Sequence, residues 1–375
     1  MDKVIKVLSL VPYKFLPPDM GGQKGIAFFN RYLSKELNFQ CISTAANEPA
    51  SEEYRVHPIL SNSKFRYINP FSFFTLRKII RNENTTHCII EHPYFGWLGI
   101  LLKWFCHVKI IIHSHNIEAL RFKSINKWWW GILWHYEKMV HRHADHNFFI
   151  HDADKAYAIE NYKLDPLKCT TITYGFEYPS IPTALEHESA KEIICKTHGI
   201  ADTDRIMLFN GTLSYQPNLL ALDTILQTIN PILLATAGFQ YRIIICGSKL
   251  PQSYRELQAY TDKNIVYAGF VDDINVYFKG CDILMNPVTD GGGIKTKLVE
   301  ALGYNCAVVS TNSGANGISE SLTNNKMLIV ADGDWKTFAE ALIKMDTTTA
   351  TPDQFFTHFY WGKIAAKAAL AIKSC

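Results

Sequence analysis

The sequence has no CxxC pair, no low-complexity tract, no short internal repeat and no strong excess of charge of either sign. Its nine cysteines are an odd number and are scattered along the chain, so we expect buried free thiols in a reducing cytosol instead of a disulfide framework. The net charge is only +3, and because no binding motif accompanies it, we expect no nucleic-acid partner. A hydrophobic fraction of 47% with 19% charged residues excludes wholesale disorder.

Long hydrophobic runs are also absent. The longest apolar candidate, residues 94–108, is interrupted by Lys103 and His107, and it falls short of the roughly 20 residues that a membrane-spanning helix needs. The apolar run that ends at Pro12 is too brief and wrongly flanked for a signal peptide, and we interpret it as a first strand. These features predict a cytoplasmic protein without a membrane-spanning segment.

Strand-like runs alternate with helical patterns from end to end, which is typical of parallel sheets built from βαβ units. Because 375 residues exceed the usual size of one hydrophobic core, we expect two domains, each an open, doubly wound, Rossmann-like α/β sheet. The strand pattern is lost over residues 175–200, which contain Pro179 and Pro182. We predict an N-terminal domain over residues 1–180, a linker over 181–200, a C-terminal domain over 201–350 and a C-terminal helix over 351–375 that could cross back to the first domain.

The carboxyl ends of the predicted strands carry the distinctive residues. Ligands bind outside these ends in open α/β sheets, and Gly21, His115, Gly211 and a glycine run at residues 291–293 each follow a strand pattern. We therefore expect a ligand site in a cleft between the two domains. The predicted strands cover residues 5–10, 39–43, 87–91, 108–113, 147–150 and 170–173, and then 205–210, 241–246, 265–267, 281–286, 306–310 and 327–330.

The segment at residues 290–300 has the composition of a phosphate cradle. Its three consecutive glycines lie between a strand pattern and a helical pattern, so backbone N–H groups at the start of the helix could close on an anion. Lys295 and Lys297 add positive charge at the same place, and Glu300 is placed to accept hydrogen bonds from hydroxyl groups. The pattern indicates an anionic ligand with a polyol attached, although a plain strand-to-helix turn with solvated lysines would have the same sequence.

Four segments of the chain, taken together and in order, carry a family resemblance. They are Gly21-Gly22-Gln23 before a helix ending near Leu37; His113-Ser114-His115-Asn116-Ile117-Glu118; Phe209-Asn210-Gly211-Thr212-Leu213-Ser214-Tyr215-Gln216-Pro217-Asn218; and a stretch from Gly269-Phe270-Val271-Asp272-Asp273 through the glycine run and Glu300 to Val308-Val309-Ser310-Thr311. They resemble the retaining glycosyltransferases of family 4, and the resemblance covers nearly the whole chain. It implies the two-domain GT-B fold and a nucleotide-sugar donor.

The resemblance implies roles for individual residues. We predict His115, Lys295 and Glu300 as catalytic: Lys295 neutralises the departing diphosphate, Glu300 binds the ribose hydroxyls, and His115 contacts the donor sugar or phosphate or steers the acceptor. The alternatives are that Lys295 is a solvated helix lysine, that His115 is structural, and that Glu300 is an exposed carboxylate paired with Lys297. Gly22 could equally be a plain first turn of a helix. The predicted donor-binding residues are Gly21, Gly22, Asn210, Gly211, Gly291, Gly292, Gly293, Ile294 and Lys297.

Two positions depart from the family pattern. The wider family has a glutamate eight positions before the one at 300, where this sequence has Gly292. That carboxylate approaches the donor sugar in the relatives, so its absence leaves the identity of the sugar open. The segment around Gly211 also lacks the Arg and Lys pair that many relatives use on the diphosphate, which makes Lys295 the first candidate for this role and Lys297 the second.

The other histidines are predicted to have no role in chemistry. His113, two positions before His115, is predicted to point the opposite way and into the core. A further group straddles a helix end and a strand without recognised ligand spacing; its members are His141, His143, His146 and His151. We therefore expect no metal and no cofactor, with a UDP- or GDP-sugar as the donor substrate.

The first half of the chain is predicted to meet the acceptor. Residues 1–180 carry 22 Lys and Arg against 16 Asp and Glu, and the remainder carries 16 against 19. A basic face with aromatic side chains suits an anionic membrane or a lipid-linked saccharide, although an amphipathic core helix with a solvated basic face is the alternative. The two aromatic and basic groups are Arg66, Phe71, Phe73, Phe74, Arg77, Lys78 and Arg81, and Phe122, Lys123, Lys127, Trp128, Trp129 and Trp130.

These expectations combine into one hypothesis with two alternatives. The chain is predicted to be a retaining, metal-independent hexosyltransferase that acts on a saccharide or lipid-linked saccharide in surface polysaccharide biosynthesis, in the cytoplasm or at the inner face of the membrane. A nucleotide-sugar epimerase or hydrolase of the same fold is one alternative. A catalytically silent sugar-nucleotide-binding or scaffold subunit is the other, since Gly292 replaces an expected carboxylate.

Overall fold

The computed structural model describes residues 4–18, 20–49, 52–290 and 293–375. The chain forms two compact units, of which the first contains Met1–Glu177 together with Phe359–Cys375 and the second contains Tyr178–His358. The last helix of the chain therefore belongs to the first unit. Most of the segment predicted as a linker is a helix, Ala184–His198, that belongs to the second unit.

Each unit is built on a parallel β-sheet. Within the described residues, the first sheet has seven strands in the order β3-β2-β1-β4-β5-β6-β7 and the second has six in the order β10-β9-β8-β11-β12-β13. The strands of the first are β1 Lys6–Leu10, β2 Asn38–Thr44, β3 Arg55–Leu60, β4 His87–Glu91, β5 Lys109–Ser114, β6 His146–Phe149 and β7 Cys169–Thr171. Those of the second are β8 Arg205–Asn210, β9 Tyr241–Cys246, β10 Ile265–Gly269, β11 Ile283–Asn286, β12 Ala307–Thr311 and β13 Met327–Val330.

Helices connect the strands in both units. In the described part of the chain they are α1 Gly21–Glu36, α2 Ser72–Glu83, α3 Gly96–Cys106, α4 Glu118–Ser124, α5 Trp130–His143, α6 Asp152–Tyr157, α7 Ala184–His198, α8 Gln216–Thr224, α9 Asn230–Leu234, α10 Ile274–Gly280, α11 Thr296–Gly303, α12 Trp335–Lys344, α13 Asp353–Phe359 and α14 Trp361–Lys373. In the first unit α14 packs on α1. Tyr360, directly before α14, pairs with Phe176 in an isolated parallel β-bridge. The α/β class expected from the sequence, with one parallel sheet in each of two units, is confirmed.

The central strands are apolar because helices cover both faces of the sheets. Strands β4, β8, β11 and β12 are buried over most or all of their length, as expected for parallel sheets that are covered on both sides. All but one of the strands were predicted within two residues of their ends. The exception is β3, an edge strand whose residues are mostly part-exposed or exposed and which contains Pro58, so it lacks the apolar pattern that identified the others.

The strand orders create one topological switch point in each sheet. In the first sheet the chain leaves β1 toward β2 and β3 and returns to β4 on the other side, and in the second β8 and β11 are neighbours in the same way. Loops at the carboxyl ends of such strand pairs separate and form a crevice for ligands. The crevices are therefore expected at the ends of β1 and β4 in the first unit, and of β8 and β11 in the second.

The structure also bears on membrane insertion and on the thiols. None of the helices in the described ranges has the length and apolar character needed to cross a lipid bilayer. All nine cysteines lie among the described residues as free thiols, and six of them are buried.

Candidate functional site

A buried glutamate holds two histidines at the carboxyl end of the first sheet. Glu91, the last residue of β4, is fully buried, and its Oε2 lies 2.8 Å from Nε2 of His115 and 3.0 Å from Nδ1 of His113. Both histidines come from the end of β5, the strand that pairs with β4. The parallel register brings the ends of these two strands together, so one carboxylate can serve both rings.

The charge of this cluster follows from its burial and its hydrogen bonds. Burial opposes ionisation of Glu91, but the neighbouring rings of His113 and His115 outweigh it and lower the pKa of the carboxyl group. Burial and the neighbouring His92 ring lower the pKa of His115 to about 3, against the opposing effect of Glu91. An ionised carboxylate only accepts hydrogen bonds, so a neutral His115 carries its proton on Nε2. Its Nδ1 is then a hydrogen-bond acceptor.

The orientation predicted for His113 was wrong. Residues two positions apart lie on the same face of a strand, so the side-chain alternation of β5, which ends at Ser114, favours placing the two rings together and not on opposite faces. The two rings lie 4.7 Å apart between centroids and share Glu91. His113 is buried as expected, and its Nε2 has no hydrogen-bond partner among the described residues.

His92 extends the cluster and has a strained backbone. It follows Glu91 directly, with φ 62° and ψ 155°, a conformation that costs energy for a residue other than glycine and persists only where its surroundings hold it. Its Nε2 is 2.8 Å from the hydroxyl of Tyr13, its Nδ1 is 3.3 Å from Glu118, and its ring stacks on that of His115 at 4.2 Å. These contacts fix the His92 ring between the two switch-point strands.

Helix α4 brings a second carboxylate to the same place. Glu118 is fully buried and also pairs with Arg121 at 3.1 Å; burial opposes its ionisation, but His92 and Arg121 lower its pKa. Glu137 of α5 caps α4 by accepting hydrogen bonds from the backbone N–H groups of Glu118 at 3.0 Å and Ala119 at 2.7 Å. Burial raises the pKa of Glu137 to about 7. Glu137 therefore acts as a support for Glu118 and Arg121.

Among the described residues, one group in the histidine cluster has the geometry to hold a metal ion. Ligand atoms of Glu91, His113 and His115 lie within 4.8 Å of one another, a set that the sequence analysis did not identify. The carboxylate of Glu91 already accepts hydrogen bonds from both rings, which accounts for the cluster without an ion. The four histidines weighed as ligands instead have separate protein partners: His141 with Asn147, His143 with the Met139 carbonyl, His146 with Thr170, and His151 with the Ala153 N–H.

The second unit places a lysine at its switch point. Lys297 of α11 donates from Nζ to the backbone carbonyl of Asn210, the last residue of β8, at 3.1 Å, and its ammonium lies 4.8 Å from the centroid of the Phe209 ring. Burial lowers the pKa of Lys297 to about 7, and the charge of Lys295 contributes. The sequence analysis ranked this lysine second, after Lys295, as a ligand for the diphosphate. The structure directs it to the end of β8.

Asn210 and Gly211 form a tight corner beside that lysine. The Oδ1 atom of Asn210 is buried and has no hydrogen-bond partner within the described residues, which is rare for a buried acceptor and calls for a donor from a ligand or water. Gly211 has φ 152°, and a Cβ there would lie 2.6 Å from the side chain of Asn218. A Cβ on Gly247 would lie 2.2 Å from the Gly211 carbonyl oxygen. Only glycines permit this approach of the ends of β8 and β9.

The glycine run lies before α11, but only part of it is described. Gly291 and Gly292 fall outside the described residues. Gly293 has φ 74°, which favours glycine, and Ile294 and Lys295 lead into the helix. Burial lowers the pKa of Lys295, while Asp290 opposes this effect. Glu300 lies one helical turn beyond Lys297 on α11, half-buried.

Gly21 and Gly22 are the first two residues of α1. A Cβ on Gly22 would have no atom within 4 Å, so packing does not require glycine there, and the open space leaves room for a ligand. The position predicts donor contact only through the family resemblance.

The structure brings the predicted residues together in two groups. Asn210, Gly211, Gly293, Ile294, Lys295, Lys297 and Glu300 lie at the ends of β8 and β11 or just beyond them in the second unit, and Gly21, Gly22 and His115 lie in the first. Sequence reasoning missed Glu91 and His92. The signal was present, because Glu91 is an acidic residue at the end of an otherwise apolar strand pattern, where a carboxylate needs a partner.

The predicted aromatic and basic groups are largely on the surface. Phe71 is 73% exposed and Trp128 is 83% exposed, whereas Phe73 is only partly exposed. Phe122 and Trp129 are in contact, with ring centroids 4.5 Å apart. Both line a cavity of the first unit.

Family models match both halves of the chain. Residues 24–177 match "Glycosyltransferase Family 4", and residues 204–347 match "Glycosyl transferases group 1". The matches together cover most of the chain and fall in the two units separately. A search of curated proteins found none that matches the chain.

Solved structures show the same fold over the whole chain. A glycosyltransferase from Rickettsia africae ESF-5 is 18% identical with a TM-score of 0.72, covering 99% of this chain and 98% of its own. HepE from Anabaena in complex with UDP is 13% identical with a TM-score of 0.73, covering 99% and 100%. A putative UDP-N-acetylglucosamine 2-epimerase from Listeria monocytogenes is 13% identical with a TM-score of 0.61, covering 99% and 96%. On its two family matches and this fold, the chain belongs to the family 4, group 1 glycosyltransferases of the GT-B type.

Proposed function

We propose that this glycosyltransferase transfers a hexose-type sugar from a UDP- or GDP-sugar to a saccharide or lipid-linked saccharide in surface polysaccharide biosynthesis, with retention of configuration and without a metal. The observation that carries the donor proposal is the ammonium of Lys297 at the end of β8, where it donates to the Asn210 carbonyl at 3.1 Å. A cation held at a switch point, beside a glycine turn and the start of a helix, suits a diphosphate.

The second-unit residues would stabilise the leaving group. In the transfer, the bond between the anomeric carbon and the diphosphate oxygen breaks with its electron pair on the diphosphate. The acceptor hydroxyl oxygen forms the new bond, and its proton goes to the leaving diphosphate. Lys297 and Lys295, with the backbone N–H groups before α11, would offset this developing charge, and such electrostatic stabilisation is usually the largest catalytic contribution. Glu300 is proposed to bind the ribose.

The sugar end of the donor is proposed to meet His115. A neutral imidazole whose Nε2 is fixed by Glu91 at 2.8 Å offers Nδ1 as an acceptor, which suits a sugar hydroxyl better than a phosphate oxygen. HepE from Anabaena was also solved with UDP-glucose, and this favours a UDP-sugar. We also propose that the protein is cytoplasmic and that the exposed aromatic and basic residues of its first unit contact an anionic membrane.

A donor screen tests the activity. Calorimetric titration with UDP, GDP and ADP sugars should identify one base that binds, and product analysis should then show sugar transferred to an added acceptor with release of the nucleoside diphosphate. If incubation with donor alone instead isomerises the sugar or hydrolyses the donor, the protein is an epimerase or a hydrolase of the same fold. Binding without release of nucleotide from any donor and acceptor pair would favour the silent subunit.

Alanine at Lys295 or at Glu300 should weaken nucleotide-sugar binding or turnover roughly tenfold or more, since each removes a charge-assisted hydrogen bond of about 1.5–3 kcal/mol. Thermal unfolding should be nearly unchanged, because neither side chain is fully buried. Lys336→Ala and Glu188→Ala, at exposed positions of the same unit, serve as matched controls. Wild-type affinity and turnover in both site variants would refute the donor-site assignment.

A further inference from the structure

The first unit contains a cavity that the donor site does not use. Its volume is about 820 Å3, and every residue that lines it belongs to this unit. A volume of this size lies in the usual range for a small-molecule site. The lining consists mainly of aromatic side chains with two cations; it is formed by Tyr13, Lys64, Tyr67, Ile68, His92, Tyr94, Trp97, Arg121, Phe122, Trp129 and Tyr136.

The floor of the cavity is polar and adjoins the histidine cluster. His92 and Tyr13 lie there, joined by their 2.8 Å hydrogen bond, and the ring of His92 stacks on His115. The hydroxyl of Tyr136 bonds to the Tyr94 carbonyl at 3.2 Å. A hydroxyl group of a ligand at this floor would therefore lie beside His115, the residue proposed to contact the transferred sugar.

The walls are aromatic rings in fixed positions. Trp97 donates from Nε1 to the Tyr67 carbonyl at 2.8 Å, and the ring of Tyr67 packs edge-on against that of Tyr94 at 5.7 Å. Phe122 contacts Trp129. Rings held by their neighbours lose little entropy when a ligand binds, and a pyranose offers an apolar C–H face to such rings while its hydroxyls reach the polar floor.

The mouth combines positive charge with exposed apolar side chains. Lys64 is exposed and the side chain of Arg121 is 51% exposed, and although Glu118 offsets part of the Arg121 charge, the carboxylate itself is buried. Ile68, which also lines the cavity, is 68% exposed. Next in sequence to lining residues are the exposed Phe65 and Trp128. The mouth therefore complements an anion that is attached to an apolar group.

We propose that this cavity is the acceptor site and that its occupant is a saccharide joined through phosphate to a lipid. The pyranose ring lies between the aromatic walls, the phosphate contacts Lys64 and Arg121, and the lipid lies on Ile68 and its exposed apolar neighbours. This inference rests on the proposed transferase function, because it assigns the acceptor of that reaction. It also gives a role to Phe122 and Trp129, two members of the aromatic and basic groups recognised in the sequence.

Binding to the full chain without any donor tests the inference. The probes are dodecyl glucosyl phosphate, which contains all three parts, and three compounds that each lack one: glucose 1-phosphate, dodecyl phosphate and dodecyl glucoside, all below micellar concentrations. Quenching of tryptophan fluorescence should show the complete probe binding at least about tenfold more tightly than each of the others. Glucose 1-phosphate binding as tightly as the complete probe would overturn the lipid assignment.

Substitutions locate the probe. Lys64→Gln and Arg121→Gln should each weaken the complete probe roughly tenfold and leave dodecyl glucoside unaffected, whereas Trp129→Ala should weaken both glucose-bearing amphiphiles. Lys64→Gln is the safer of the two charge variants, because Arg121 also pairs with Glu118. Arg142→Gln and Trp104→Ala, at exposed positions of the same unit outside the cavity, should bind like the wild type. Equal binding by cavity and control variants would overturn the site.

The donor and acceptor assignments fail separately. Lys297→Met in the second unit should leave probe binding unchanged while it impairs nucleotide binding. A chain that binds the complete probe in the cavity but no nucleotide sugar would sink the donor proposal and keep the acceptor site. Nucleotide-sugar binding without any probe binding would do the reverse.

Discussion

Replacement of Lys297 by methionine should weaken binding of the nucleoside diphosphate by roughly 10- to 100-fold. The ammonium of Lys297 reaches the end of β8, where it lies 3.1 Å from the Asn210 carbonyl. A charge-assisted hydrogen bond from such a group to phosphate contributes about 1.5–3 kcal/mol. Methionine keeps most of the apolar length of the side chain and removes its charge, so packing against Phe209 is largely retained. Calorimetric titration with the diphosphate identified in the donor screen measures the effect.

Binding at this lysine should also take up protons near neutral pH. Burial lowers the pKa of Lys297 from 10.5 to about 7, so between these values the folded chain holds fewer protons here than the unfolded chain does. The stability that depends on this group is therefore present above pH 10.5 and is lost as the pH falls through 7. A bound diphosphate favours the charged form. Titrations at pH 7.5 in buffers of different ionisation enthalpy should reveal uptake of a fraction of a proton in the wild type and less in Lys297→Met.

Lys326 offers a matched control for Lys297. It is a buried lysine of the same unit whose ammonium donates to the carbonyl of Thr347 at 2.9 Å, and burial also lowers its pKa. Lys326→Met should change thermal unfolding without changing nucleotide affinity or proton uptake. If Lys297→Met binds nucleotide like the wild type, or if Lys326→Met weakens it equally, Lys297 is a structural lysine and the diphosphate lies elsewhere.

The sequence was informative about the sheets because their central strands are apolar along their whole length. Strands β4, β8 and β9 begin and end where they were predicted, since burial on both faces leaves a continuous apolar run between polar turns. The edge strand β3 has no such run and was missed. The return of the C-terminal helix to the first unit depends on long-range packing, which a local sequence pattern does not determine.

Side-chain direction was harder to predict than residue choice. Lys297 was recognised as a candidate, but its reach to Asn210 depends on how α11 packs beside β8, which no spacing within the helix determines. Glu91 and His115 are separated by 24 positions, and their contact follows from the parallel pairing of β4 with β5. The motif around His115 therefore identified one half of a pair whose other half lies on the neighbouring strand.

Substitution of Glu91 by glutamine should lower kcat by roughly 10- to 100-fold with a smaller change in KM, because Glu91 acts as a positioning residue for His115. The carboxylate accepts from two imidazole N–H groups at 2.8 and 3.0 Å, whereas an amide has one oxygen and one NH2 group. When that NH2 faces His115, it donates to Nε2 and moves the ring proton to Nδ1, so the acceptor offered to the sugar becomes a donor.

Two measurements separate this effect from a loss of stability, which should amount to about 1–3 kcal/mol for a disturbed buried hydrogen-bond pair. Proton–nitrogen correlation spectra of the histidine rings should show His115 protonated on Nε2 in the wild type and on Nδ1 in Glu91→Gln. Adding His115→Ala to Glu91→Gln should cost little further activity, because both changes remove the same contact. Glu83→Gln, at a part-exposed glutamate of the same unit, is the control. An unchanged tautomer with an unchanged kcat in Glu91→Gln would show that the cluster only supports the fold, whereas a shifted tautomer with a reduced kcat would connect the buried carboxylate to the chemistry of His115.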